Sequence, residues 1–326
     1  MRTRVRSPPE TPMKILFTRG LWHGHSDGHA RREKQKQQDY QADSAMHGFK
    51  KLLGSDVIDE PRVWSAYKSE FETGKHSLDE CYGKGFTSSG GLTEEEDQCD
   101  RTDIQGKLKS GYFDLVILSA IDMGSPHMRT ILETTPKNKL ITLDGSDTQY
   151  LDHNFVGRSV YFKRELNRSI PGVFPISFGF PSERIRENRS HKTRVDSYID
   201  CNDRSTYIYN DEQSYYNGYA ESLFGNTNKK GGWDCMRHYE IMANRCIPFF
   251  RDIDQCPQFT CTTLPKTELS RVVKIKTEHK PDWFFTSEGT DFWSETEQKI
   301  FDHFKENCTT VTLAKNILDA HKKATT

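Results

Sequence analysis

The sequence lacks the long apolar run that a membrane span requires. No hydrophobic stretch among its 326 residues approaches the roughly 18–20 residues that cross a bilayer as a helix. The first residues, MRTRVRSPPETP, are basic and have no apolar core of the kind found in a secretory signal. We therefore expect residues 1–12 to be a disordered tail and the protein to be cytoplasmic.

A strong excess of charge of either sign is also absent. The 46 basic and 47 acidic residues give a formal net charge of −1. This balance provides none of the basic footprint by which nucleic-acid-binding proteins attract phosphates. With 34% hydrophobic and 29% charged residues, the chain is a polar globular protein, long enough for two domains. We expect no nucleic-acid partner.

Recognisable metal and phosphate-loop motifs are missing as well. The eight cysteines include no CxxC pair, and their spacing matches no zinc pattern. The loop LWHGHSDGH offers His23, His25, Asp27 and His29, but a single loop without a second contributing segment is a weak metal signal. Neither GxxxxGK[ST] nor a GxGxxG after a strand occurs, which counts against a kinase or nucleotidyltransferase. We predict reduced thiols, no metal and no cofactor.

The first half of the chain alternates between apolar runs and helix-forming stretches. Short apolar runs at 14–20, 112–121, 139–147 and 158–165 predict strands, and 30–54 is rich in helix formers. This order favours a parallel sheet with helices on its faces. The Gly-, Ser- and acid-rich stretch 65–103 is predicted to be a mobile loop or lid.

A domain junction is predicted where IPGVFPISFGFP (170–181) carries three prolines and two glycines. The prediction is an N-terminal domain at 13–170 and a C-terminal domain at 171–326, both α/β. In the second domain, strands are expected at 205–210 and 270–276, and a helix in EQSYYNGYAESLFG. Two closing helices are expected at about 294–307 and 310–322.

The most informative stretch is NTNKKGGWDCMRHYEIMANRCIPFF (226–250), which predicts a loop, a helix and a strand. Gly231 and Gly232 allow a tight turn, and Asp234 is a candidate N-cap. The N–H groups of the first helical turn, with Lys230 beside them, would then form an anion site. Pro248 argues against a central position for the strand.

Arg237 and Glu240 lie three residues apart and share one face of the predicted helix. An anion site followed by a carboxylate suits a nucleotide, with the diphosphate at the helix start and the ribose hydroxyls at Glu240. The alternative remains open: such a loop is often only a turn, and such a pair is often a surface ion pair.

The segment RHYEIMANRCIPFF resembles the donor site of glycosyltransferases with the two-domain GT-B fold, in particular exostosin-like members. Their R-x-x-E-x5-C-I-P pattern falls on Arg237, Glu240, Cys246, Ile247 and Pro248, whereas Arg245 departs from the usual small residue. The match spans roughly residues 205–266. A looser resemblance is to glycosyltransferases of bacteria and large algal viruses. The resemblance implies two Rossmann-like domains that face a cleft.

The resemblance also implies roles for particular residues. Glu240 would bind the donor ribose and Arg237 the diphosphate or sugar, while Lys163 and Arg164 would form a second cationic clamp. Trp233 would stack on the base or sugar. A second glutamate eight residues after the first, typical of one retaining group, is absent because Pro248 stands there. This absence favours inversion. The resemblance also implies catalysis without a metal, because in GT-B enzymes the helix dipole and basic residues commonly stabilise the leaving group.

An inverting transferase needs a general base for the acceptor hydroxyl. Asp144 and Asp147 follow a predicted strand, and His25 follows the first one; our order of preference is Asp147, His25, Asp144. The predicted function is transfer of a sugar from a nucleotide diphosphate, UDP or GDP, to a glycan acceptor. The alternative is a nucleotide- or glycan-binding module that has lost catalysis.

Overall fold

The computed structural model describes residues 13–20, 38–119 and 125–326. A six-stranded sheet runs through the first part of the chain. Its strands are β1 (Ile15–Arg19), β2 (Val57–Asp59), β3 (Leu115–Ser119), β4 (Leu140–Asp144), β5 (Val160–Lys163) and β6 (Val173–Pro175). The order is β2-β1-β3-β4-β5-β6, and every neighbouring pair is parallel. This sheet confirms the parallel α/β class predicted from the sequence.

Helices cover both faces of this sheet. The helices of the first part are α1 (Tyr40–Leu53), α2 (Lys68–Glu72), α3 (Glu94–Asp97), α4 (Ile104–Lys109) and α5 (Met128–Thr134). Because successive strand residues point to opposite faces, Ile15 and Phe17 pack with α1, whereas Leu16 packs with α4 and α5. Burial on both faces explains why these strands are continuously apolar.

A second, three-stranded parallel sheet lies in the C-terminal part. It consists of β7 (Arg194–Asp196), β8 (Ser222–Thr227) and β9 (Ile247–Phe250), in that order. The helices around it are α6 (Glu212–Ala220), α7 (Met236–Ala243), α8 (Lys266–Glu278) and α9 (Ser287–Asn307). Pro248 lies in β9, an edge strand of this sheet, as the sequence indicates.

Three expectations for the C-terminal part are wrong. Residues 270–276 lie within α8, because Leu269 and Val272 are buried at helical spacing. Residues 205–210 form a 3-10 turn and irregular chain rather than a strand. The helix predicted up to Gly225 ends at Ala220, and β8 follows. Gly225 lies in this strand at a point where a side chain would not fit, because an added Cβ would be 2.8 Å from Ile241 Cγ1 of α7.

The chain crosses between the two sheets more than once. The last helix, α10 (Thr310–Thr325), packs against α1, and β6 pairs with β5 beyond the predicted boundary at residue 170. The stretch 65–103 is folded and packed: Arg101 donates a 2.6 Å hydrogen bond to the buried Asp59 carboxylate at the end of β2. In the described ranges, no helix is long and apolar enough to cross a membrane.

Candidate functional site

A cavity of about 790 Å³ lies where the carboxyl ends of β4 and β5 approach the start of α7. The carboxyl edge of a parallel sheet is the usual place for ligands in α/β proteins. Seven of the eleven residues predicted for the site line this cavity: Asp147, Arg164, Lys230, Gly231, Gly232, Arg237 and Glu240. The remaining four are Asp144, Lys163, Trp233 and His25.

Arg237 and Glu240 both reach the cavity from α7, as their spacing predicts. Arg237 Nη2 donates a 2.7 Å hydrogen bond to the Tyr207 hydroxyl, whereas its buried Nη1 has no hydrogen-bond partner within the described chain. The Glu240 carboxylate accepts hydrogen bonds from Thr87 Oγ1 at 2.6 Å and from the Tyr215 hydroxyl at 2.5 Å. Burial raises the pKa of Glu240, and these two hydrogen bonds oppose the rise.

The Gly-Gly loop binds an anionic group that belongs to the chain itself. The backbone N–H groups of Trp233 and Asp234 donate to the two carboxylate oxygens of Glu165, at 3.0 and 3.1 Å. Gly232 permits this approach, since an added Cβ would collide with Glu165 Oε1 and lie 2.8 Å from its Cδ. Two of the N–H groups near the predicted anion site are therefore already engaged.

Asp234 is not the N-cap of α7, contrary to the sequence-based expectation. The cap residue is Cys235, which makes no side-chain capping bond. The Asp234 carboxylate turns inward instead and accepts hydrogen bonds of 2.9 Å from Phe178 N and from the Tyr239 hydroxyl. Burial raises the pKa of Asp234 to about 6, although the Arg164 guanidinium opposes the shift. Asp234 thus ties the start of the helix to residue 178.

The predicted cationic clamp is divided between two environments. Arg164 lines the cavity, contacts Asp147 and the Asp234 carbonyl, and lies 4.8 Å from the centroid of the Phe178 ring. Lys163 is fully buried and donates a 2.9 Å hydrogen bond to Asp144, away from the cavity. Adjacent strand residues face opposite sides, so only Arg164 can contact a ligand there.

The candidate bases also lie in different environments. Asp144 is buried outside the cavity wall and accepts hydrogen bonds from the Tyr161 hydroxyl at 2.5 Å and from Lys163. Asp147 lines the cavity with a side chain that is 59% exposed, and it forms an ion pair with Arg164. His25 lies outside the described residues. Of the two candidate bases within the described residues, Asp147 is therefore the one that a cavity ligand can reach.

Trp233 does not line the cavity, contrary to the prediction that it stacks on a ligand. It is 8% exposed and belongs to the hydrophobic core, with its ring centroid 6.3 Å from that of Phe250. The exposed aromatic rings of the wall are Tyr82 and Tyr207, at 55% and 44% exposure. Sequence reasoning missed both residues, although the glycine-rich run 83–91 next to Tyr82 signalled an unusual backbone.

The outer wall comes from a segment far away in the sequence. Tyr82, Gly83, Lys84 and Phe86 line the cavity, and Lys84 Nζ donates a 2.8 Å hydrogen bond to the Tyr209 carbonyl. The first half of the chain therefore supplies both a cation and aromatic surface opposite α7. Among the described residues, no group of three or more His, Cys, Asp or Glu side chains is arranged to hold a metal ion.

Comparisons of the chain with protein-family models, with curated proteins and with solved structures found no match. The resemblance of the 237–248 segment to exostosin-like donor sites therefore stays a prediction.

Proposed function

We propose that the protein is a glycosyltransferase that binds a nucleotide-diphosphate sugar in this cavity and transfers the sugar to a glycan. The observation that carries the proposal is the convergence of Asp147, Arg164, the 230–232 loop, Arg237 and Glu240 on one cavity. Its volume of about 790 Å³ lies within the common range of ligand sites, roughly 300–1,000 Å³. In this proposal the two sheets belong to two Rossmann-like domains that face the cavity, as in the GT-B fold.

The charges of the wall suit a diphosphate. Four cationic side chains, Lys84, Arg164, Lys230 and Arg237, line the cavity. Arg237 Nη1 has no protein partner among the described residues, and α7 begins beside it, so a helix N-terminus adds positive potential. Positive charge and dipoles of this kind stabilise a departing diphosphate. The proposal therefore needs no metal ion.

Glu240 lies one helical turn beyond Arg237 and supplies a carboxylate for the two ribose hydroxyls. The exposed rings of Tyr207 and Tyr82 provide surfaces on which the base can stack. Asp147 is the proposed general base for the acceptor hydroxyl, with inversion at the anomeric carbon. The chemistry thus falls at the carboxyl end of β4, and the nucleotide extends along α7.

A binding module without catalysis is the second candidate, and one observation favours it. Neither aspartate is free: Asp144 is enclosed by Lys163 and Tyr161, and Asp147 is paired with Arg164. Slow hydrolysis of an isotopically labelled nucleotide sugar separates the two functions. A transferase releases the nucleotide from the donor even without the acceptor, whereas a binding module leaves the donor intact.

The test is calorimetric titration with UDP, GDP, CDP and their sugars. We expect one nucleotide series to bind, and Glu240→Gln to weaken the preferred nucleotide by about 10- to 100-fold, the worth of a hydrogen bond to a charged group. Glu187→Gln is the matched control, because Glu187 pairs with Lys305 outside the cavity wall. Affinity and turnover should survive EDTA.

Absence of binding by every nucleotide contradicts the proposal. Equal affinities of the Glu240→Gln variant and the wild type would remove Glu240 from the site. Loss of turnover on chelation, restored by Mg²⁺ or Mn²⁺, would show that the cationic wall does not suffice for the leaving group.

A further inference from the structure

Thr87 has a strained backbone at the edge of the cavity. Its φ is 70°, in the left-handed region. Five non-glycine residues of the described chain have a positive φ, and Thr87 is the only β-branched residue among them. This conformation is a true outlier for a β-branched residue. Such strain persists only where surrounding contacts hold it.

Three hydrogen bonds hold Thr87 in this conformation, and all of them come from the second half of the chain. Its backbone N–H donates to Glu212 Oε1 at 2.6 Å, and its hydroxyl donates to Glu240 Oε1 at 2.6 Å. The Tyr216 hydroxyl lies 2.6 Å from the same Thr87 oxygen. Thr87 is 1% exposed. The strained residue therefore links segment 82–90 directly to the carboxylate that lines the cavity.

We infer that Thr87 is a positioning residue of the nucleotide site, whose hydroxyl orients the Glu240 carboxylate. This inference rests on the proposed function and deepens it. Glu240 has two side-chain donors: Tyr215 lies on α6, in the same half of the chain, whereas Thr87 is 153 residues away. The site is therefore complete only when segment 82–90 is docked against α6 and α7.

The charges around Glu240 explain why this donor matters. Arg237, one turn back on α7, favours the ionised carboxylate, and Glu212 at the start of α6 opposes it. The other titratable groups that face Glu240 are tyrosines: Tyr40 on α1, Tyr207 in the irregular chain before α6, and Tyr215, Tyr216 and Tyr219 on α6. Burial is the largest influence and raises the pKa of Glu240. Removal of the Thr87 hydroxyl should raise this pKa further, so that Glu240 binds a proton where the nucleotide needs an acceptor.

The test compares Thr87→Ala and Thr87→Gly, which lack the hydroxyl, with Thr87→Ser, which keeps it. Thr87→Gly also relieves the strain at positive φ, so that variant should fold even if Thr87→Ala does not. The readout without ligand is the carboxyl ¹³C titration of Glu240, assigned by its loss in Glu240→Gln. We expect the midpoint to rise by about one pH unit in the Ala and Gly variants and to return in Thr87→Ser.

Nucleotide affinity is the second readout, measured by calorimetry at pH values below, within and above the observed Glu240 titration. The Ala and Gly variants should bind the preferred nucleotide about tenfold more weakly at acidic pH, with a deficit that shrinks as the pH rises. Thr260→Ala is the matched control, because its buried hydroxyl donates to the Leu166 carbonyl outside the cavity wall. That variant should leave the Glu240 midpoint and the affinity unchanged.

The outcomes separate this inference from the proposed function. An unmoved Glu240 midpoint in both the Ala and Gly variants overturns the inference, as does an affinity loss that is equal at every pH and is not rescued by serine. A midpoint that moves in a protein that binds no nucleotide supports the Thr87–Glu240 link and overturns the proposed function instead.

Discussion

Replacement of Gly232 by alanine is expected to destabilise the fold much more than the same change at Gly231. A Cβ added at Gly232 would collide with Glu165 Oε1 and lie 2.9 Å from Arg164 Nη1. Both side chains are only 3% exposed, so neither has room to move. Glu165 would lose its bonds to two backbone N–H groups, each worth about 1.5–3 kcal/mol because the acceptor is charged. We expect a loss of about 3 kcal/mol after partial relaxation.

The matched control is Gly231→Ala, since the three atoms nearest to its added Cβ all belong to the Asp147 side chain. That side chain is 59% exposed and can rotate away, at the expense of an ion pair worth less than about 1 kcal/mol. Neither glycine has a positive φ, so alanine itself introduces no backbone strain. The assay is urea denaturation, with the midpoints compared at constant m-value.

A double-mutant cycle with Glu165→Ala makes the test specific. In that background the clash with Glu165 is gone and the 2.9 Å approach to Arg164 Nη1 remains, so the Gly232→Ala penalty should fall well below about 3 kcal/mol. Equal losses for the two glycine variants, or an unchanged Gly232→Ala penalty when Glu165 is truncated, would refute the view that this loop encloses the Glu165 carboxylate.

Two further predictions concern buried charges. Asp144→Asn should lower the free energy of unfolding, measured by urea denaturation, by about 3–5 kcal/mol, because it leaves the fully buried Lys163 without its carboxylate. The control Asp147→Asn should lower it by less than about 1 kcal/mol. Loss of turnover in a fully stable Asp144→Asn variant would contradict this structural role. Burial lowers the pKa of His238 from 6.5 to about 3, so the unfolded chain binds a proton between these values that the fold does not, and stability falls as the pH drops below 6.5. At pH 5.5 the loss from His238 is about 1.4 kcal/mol. The measurement is the change in unfolding free energy between pH 7.5 and 5.5, in the wild type and in His238→Gln. The loss from His238 should be absent in the variant. An identical change in both proteins would contradict the prediction.

The sequence predicts the large sheet well because its strands are buried on both faces. β1, β3, β4 and β5 are continuous apolar runs, and this pattern has few alternative structures. The smaller sheet is harder to predict. β7 is only three half-buried residues, Arg194–Asp196, with a single apolar residue, Val195. The run 270–276 is too short to distinguish a strand from a helix.

The site was predictable where it is local in sequence. The loop at 230–232 and the helix face of Arg237 and Glu240 form one short segment, and its pattern indicated the cavity wall. Segment 82–90 was not predictable, because its contact with Glu240 spans 153 residues. Which of Lys163 and Arg164 faces the cavity depends on the register of β5, and register is set by packing rather than by the pair itself.

The Glu165 carboxylate changes how the glycine pair is understood. A Gly-Gly turn before a helix indicates that an anionic group approaches the backbone closely, but the pattern does not say whether that group belongs to a ligand or to the chain. Here Glu165 fills the place, held by Trp233 N, Asp234 N and Arg164. In the proposed function, the cations left for a diphosphate are the side chains that line the cavity, together with the start of α7 at Met236. Glu165 also accepts a hydrogen bond from Arg164, so the same buried carboxylate that occupies the loop helps to hold a cation next to the proposed base.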